Sequence, residues 1–148
     1  MAAEKNINVL YLEDDQDSIE LVKFTLGLDG IDVRPVSTFD DALEMAQSGR
    51  YDLYLLDGLL QSGYSFDLCR QLRDLDPDVP IVFYSALGFP SDIKEGVSAG
   101  ADVYLIKPFA GDLSATVRET IAEKKGLAAA TAAAANRFSH TNITANFR

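Results

Sequence analysis

The chain has 148 residues and a mass of 16.1 kDa, room for one ordinary domain that buries its own core without disulfides or structural metal. Hydrophobic residues at 47% and charged residues at 24% describe a globular composition and exclude disordered and collagen-like classes. Thirteen basic against 23 acidic residues give a net charge of −10, leaving no basic footprint for direct nucleic-acid binding, while one cysteine and one histidine exclude a disulfide framework and a zinc site.

The N-terminus, MAAEKN, lacks the charged-then-apolar order of a signal peptide, and the apolar stretch at residues 127–135 is too short to span a bilayer. A soluble, cytoplasmic protein without membrane insertion is expected. Residues 7–12 (INVLYL) predict a strand, followed by a helix patterned through Ile19, Leu21, Val22, Phe24 and Leu26. Residues 32–36 (DVRPV) predict a second strand, placed at a sheet edge because Pro35 cannot donate to a ladder. Ser37 or Thr38 caps a helix running through Ala42, Leu43 and Met45 to Gly49. Residues 53–56 (LYLL) form a third strand, and Phe66, Leu68, Cys69 and Leu72 mark the helix after it. Residues 81–84 (IVFY) follow Pro80 as a fourth strand, Ile93 and Val97 sit on a short helix, and residues 103–106 (VYLI) form a fifth strand. A last helix covers residues 112–125, with Leu113, Val117 and Ile121 on one face.

Five β–α repeats argue for an α/β fold, a parallel sheet covered by helices on both faces. Strands buried on both faces read as continuous apolar runs, as LYLL, IVFY and VYLI do. Residues 126–148 differ: Ala-rich, then polar, with Arg137 and Arg148 their only charges. The expected division is a domain over 1–125 and a tail or linker over 126–148, whose alanines can extend the last helix and whose SHTNITANFR end frays. Asn142-Ile143-Thr144 matches a glycosylation acceptor pattern that is meaningless in the cytoplasm, His140 has no assigned role, and Cys69 reads as a small buried hydrophobe.

In open α/β sheets, ligands bind beyond the carboxyl ends of the strands. Glu13, Asp14 and Asp15 follow the first strand, Asp57 the third, Ser85 the fourth, and Lys107 with Pro108 the fifth. Converging carboxylates repel one another unless a cation neutralises them, and all-oxygen ligands suit Mg²⁺. Lys107 supplies a point charge and Ser85 a hydroxyl for phosphate oxygens, leaving Asp57 as candidate nucleophile for an acyl phosphate.

These stretches, VLYLEDDQDSIEL, DLYLLDGLL, IVFYSALG and AGADVYLIKPF, resemble the receiver domain of bacterial two-component response regulators over roughly residues 6 to 125. The resemblance implies a flavodoxin-like, doubly wound five-stranded sheet of order 2-1-3-4-5 with five helices. It makes Asp57 the phosphoacceptor. The acidic pair is assigned to Glu13 and Asp14, with Asp14 on the metal and Glu13 reaching it through water; a register slip of one makes the pair Asp14 and Asp15. The backbone carbonyl of Leu59 is the third protein ligand of Mg²⁺, Lys107 pairs with the phosphoryl group, and Lys107-Pro108 is expected to be cis. Ser85 and Tyr104 match the switch pair: on phosphorylation Ser85 moves toward the phosphate and Tyr104 turns inward. That remodels the face of the fourth helix, fifth strand and last helix. The implied partners are a sensor histidine kinase or phosphotransfer protein and a downstream target protein, with a phosphorylation-dependent homodimer also allowed. No DNA-binding region is expected within these 148 residues, and the tail can equally be the start of a linker to an effector.

The chain departs from the family pattern at Gln61, where Pro is usual, and at Ser65, where Gly is common, with Gly63 two places earlier. Gly58 and Leu59 offer little to align a water, which points to slow self-dephosphorylation. The competing reading is a receiver-like interaction module that works without phosphorylation. A nucleotide- or flavin-binding enzyme fits poorly because EDDQD would repel phosphate, and a haloacid-dehalogenase-type phosphatase needs an acid where Leu59 stands.

Overall fold

The computed structural model describes residues 6–133, with side-chain environments to residue 127. In chain order the elements are β1 (Ile7–Leu12), α1 (Gln16–Leu28), β2 (Ile31–Val36), α2 (Phe39–Ser48), β3 (Leu53–Leu56), β4 (Leu59–Leu60), β5 (Gly63–Tyr64), α3 (Phe66–Leu75), β6 (Ile81–Ser85), α4 (Pro90–Ala99), β7 (Val103–Ile106) and α5 (Leu113–Ala133). Five parallel strands form one sheet in the order β2-β1-β3-β6-β7. Numbered within that sheet, the order is the expected 2-1-3-4-5. Pro35 lies on the edge strand β2, opposite Tyr11.

Strand side chains alternate between two cores. Leu10, Leu12, Leu56, Ile81 and Phe83 pack with Ala42, Leu68, Cys69, Leu72 and Ala99 of α2, α3 and α4. Val9, Tyr11, Leu55, Val82 and Leu105 pack with Ile19, Val22 and Leu26 of α1 and Leu113, Val117 and Ile121 of α5. Burial on both faces is why period-two alternation is invisible in these strands.

Several expectations change. Leu21 and Phe24 do not join the core face of α1; they lie exposed with Leu28 on the opposite side, because 3.6-residue periodicity groups Ile19 with Val22 and Leu26 instead. Thr38, not Ser37, caps α2, its Oγ1 accepting from Asp41 N–H at 3.1 Å. α4 is a full ten residues, closed by Gly100 at φ +116°. α5 starts after Asp112, whose Oδ1 accepts from Ala115 N–H, and it runs on through Gly126 into the alanines, the extension those residues allow. The readings of Arg137, His140, Asn142 and Arg148 lie outside the described residues. The short antiparallel hairpin β4–β5 has no counterpart in the expected elements.

Candidate functional site

The carboxyl ends of β1, β3, β6 and β7 gather Glu13, Asp57, Ser85 and Lys107 in one place, as the parallel order requires. Glu13 is 2% exposed and Asp57 9%. Lys107 Nζ lies 2.8 Å from Glu13 Oε1 and 3.9 Å from Asp57 Oδ2, and 5.0 Å from the centroid of the Tyr84 ring. The Lys107-Pro108 peptide is cis.

Glu13 is held on both oxygens. Oε1 also accepts from the Tyr11 hydroxyl at 3.3 Å, and Oε2 accepts from the backbone N–H groups of Asp14 and Asp15. Asp57 Oδ1 accepts from Leu59 N–H at 3.3 Å. Burial, and then the negative charge of Glu13, push the Asp57 carboxyl from its ordinary value up to about 6, against the opposing pull of Lys107, Ser85 and the Leu59 amide. Two buried carboxylates thus share one ammonium.

Asp14 is exposed, and its Oδ2 accepts from the Gln61 backbone N–H at 2.8 Å. Asp15 points elsewhere: it caps α1, accepting from Ser18 N–H and Oγ, and these bonds hold its carboxyl below the usual range. Among the described residues no three Asp, Glu, His or Cys side chains form a ready metal-binding group. The donor set still fits a hard cation. The buried pocket is short of positive charge, and Mg²⁺ usually takes one or two carboxylates and keeps several waters.

Ser85 is buried, and its Oγ accepts from Leu87 N–H at 3.2 Å. Tyr104 is 2% exposed and already turned inward, with its hydroxyl donating to the Leu87 carbonyl at 2.7 Å and its ring stacked on Phe83 at 5.4 Å. The space it occupies exists because Gly96 of α4 has no side chain; a Cβ there would meet the Tyr104 ring at 2.8 Å.

Ser65, fully buried, donates from Oγ to the Asp57 carbonyl at 2.5 Å. Sequence reasoning missed three contributors: Tyr11, the Gln61 amide and the Ser65 hydroxyl. Tyr11 was legible, since residues two apart on a strand share a face. The Gln61 contact was not, because a backbone amide leaves no mark in residue type.

The family described as response regulator receiver domain matches residues 9–118. Response regulator MprA of Mycobacterium ulcerans (strain Agy99) is 35% identical over 105 residues, covering 71% of this chain and 45% of that protein. MprA of Mycobacterium leprae (strain TN) is 33% identical over 120 residues, covering 80% and 53%. The chain spans about half the length of these curated relatives. A CheY-like response regulator receiver domain protein from Methanospirillum hungatei JF-1 superposes with a TM-score of 0.78 at 22% identity, covering 83% of this chain and 99% of that one, a likeness of fold. The receiver domain of the Francisella response regulator 1452 gives 0.73 at 27% identity, covering 80% and 98%.

Proposed function

The chain belongs to the response regulator receiver family, and from that membership we propose that it accepts a phosphoryl group on Asp57 from a sensor histidine kinase or a phosphotransfer protein. Receiver domains work in two-component phosphorelay signalling, as switches rather than conventional enzymes. The observation that carries the finer reading is the pair of buried carboxylates, Glu13 and Asp57, served by the one ammonium of half-buried Lys107.

The Asp57 carboxylate attacks phosphorus, the donor's P–N bond breaks, and the histidine nitrogen keeps the electron pair and takes a proton. Lys107 is placed to follow charge onto the phosphoryl oxygens, while Tyr11 and two backbone amides keep Glu13 in position to orient Lys107. Asp14, Asp57 and the Leu59 carbonyl would hold Mg²⁺, with Glu13 through water, and the ion would supply the missing positive charge. The commitment of Asp15 to helix capping supports Glu13 and Asp14 as the acidic pair. Ser85 is one hydrogen bond from the β6–α4 loop through Leu87, so its movement toward a phosphoryl group would be felt by Tyr104 and by the face of α4, β7 and α5. That face would engage a downstream target or a second copy of the chain. A cytoplasmic setting and a receiver unit ending near Lys125 complete the reading; among the described residues no helix is long and apolar enough to cross a membrane.

One observation favours a second reading, an interaction module that works without phosphate: Tyr104 is already inward and bonded to the Leu87 carbonyl. Intact mass after incubation with Mg²⁺ and acetyl phosphate separates the two. The switch gains one phosphoryl group, which Asp57→Asn and removal of Mg²⁺ both abolish. No gain from acetyl phosphate or from a phosphorylated kinase, together with no Mg²⁺ binding, would establish the module instead.

A further inference from the structure

Three acids follow β1, and side-chain partners fix the carboxylates of two. Glu13 is held by Lys107 and Tyr11, and Asp15 by Ser18. Asp14 is different. It is exposed, and a residue 47 positions away orients it, the Gln61 backbone N–H at the turn between β4 and β5. That turn is firmly mounted. Leu60 is 3% exposed in the core, Tyr64 stacks on Phe66 with ring centroids 6.0 Å apart, and Ser65 closes the base through its N–H to the Gly58 carbonyl and its Oγ to the Asp57 carbonyl.

We propose that the β4–β5 hairpin is a positioning element for the cation site, in which the Gln61 backbone N–H holds the Asp14 carboxylate in the orientation that meets Mg²⁺. This rests on the Mg²⁺-dependent reading above. A single amide bond to Oδ2 leaves Oδ1 and a lone pair of Oδ2 for an ion and its waters, and carries no formal charge that would compete with the ion. It removes rotamer freedom from Asp14 before the ion arrives, so less is lost on binding. The Gln61 side chain is exposed and takes no part, so any residue with a backbone N–H serves at this position. Proline, the residue usual there in the family pattern, cannot. The departure at Gln61 thus gives this chain a grip on its acidic pair that the common pattern lacks.

The test is calorimetric titration of the full chain with Mg²⁺ alone, in wild type, Gln61→Ala and Gln61→Pro, with a thermal melt of each. Gln61→Ala keeps the N–H and is expected to bind Mg²⁺ as wild type does. Gln61→Pro is expected to bind about threefold to tenfold more weakly while still folding, since Leu60 is already extended, the conformation a following proline favours. Equal affinity in all three overturns the positioning role; absence of Mg²⁺ binding in wild type overturns the reading beneath it. Should Gln61→Pro fail to fold, hydrogen exchange at the Gln61 amide decides. Protection in wild type that disappears in Asp14→Ala supports the contact, and fast exchange in both overturns it.

Discussion

The two ends of the sheet each carry a buried ionic cluster, and their charge balance is opposite. At the amino end, one carboxylate, Asp102, meets two cations: Oδ2 accepts from Arg73 Nη2 at 3.0 Å and from Ile81 N–H at 2.9 Å, and Oδ1 from Lys124 Nζ at 2.8 Å. Arg73 spends its remaining donors on the carbonyls of Asp76, Pro77, Val79 and Gly100. At the carboxyl end, two carboxylates meet one cation, and the Asp57 carboxyl is pushed up to about 6. A cluster with positive charge in excess, its Arg73 donors spent on carbonyls, ties α3, β7 and α5 together. One left short of charge is poised to take up a cation and a reacting group. Burial and ion pairing alone do not separate the structural cluster from the functional one; the sign of the imbalance does.

The sharpest way to break this contrast is to remove one acid from each end. Asp102→Ala strips both cations of their partner and leaves the Ile81 amide unpaired. It is expected to cost about 3 kcal/mol, read as a lower urea midpoint at unchanged slope, while phosphoryl uptake by the folded fraction survives. Asp57→Asn should do the reverse in chelator. A carboxyl raised in the folded state contributes stability that is complete below its unfolded pKa of 3.8 and is lost as pH rises through about 6. Metal-free wild type should therefore lose about 2 kcal/mol between roughly pH 4 and pH 7 relative to Asp57→Asn. Urea midpoints across that range measure it; an Asn variant less stable than wild type at pH 7 would remove the claimed negative excess.

How much of this was legible beforehand follows the same division. Residue type and strand order were enough to bring Glu13, Asp57, Ser85 and Lys107 to one edge, because a parallel sheet delivers every strand's next residue to the same side. The run of apolar strands announced burial on both faces. The α1 face was misjudged because Leu21 and Phe24 are apolar yet point away from the core, and composition cannot say which side of a helix is covered. The hairpin was missed because two-residue strands have no periodicity. Ser65 shows the limit most plainly. A serine just before a helix reads as a cap, yet its hydroxyl makes no cap bond and turns back to the Asp57 carbonyl.

A smaller test lies beside the charged edge, where the inward Tyr104 depends on an absent side chain. Gly96→Ala puts a methyl 2.8 Å from the Tyr104 ring and 3.2 Å from Phe83. Either the ring swings out or α4 shifts, at a cost of about 1–2 kcal/mol. Tyrosine ring resonances should show Tyr104 newly exposed while Mg²⁺ affinity stays as in wild type. If Mg²⁺ affinity falls as well, the acidic pocket and the Tyr104 seat are one cooperative unit rather than neighbours.

The smallest expected effect comes from a neutral group. Ser65→Ala deletes the hydroxyl bonded to the Asp57 carbonyl but keeps the Ser65 N–H bond to the Gly58 carbonyl, so the hairpin base stays closed on one side. The loss is about 1 kcal/mol, the net worth of a buried hydrogen bond with a partner left unmet. Because the bond is to the main chain of Asp57 and not its carboxylate, the charge imbalance is untouched, and the stability difference between Ser65→Ala and wild type should be independent of pH from 4 to 8. A pH-dependent difference would mean that the hydroxyl acts on the carboxylate. The two ends would then differ in how their charges are held as well as in how they are balanced.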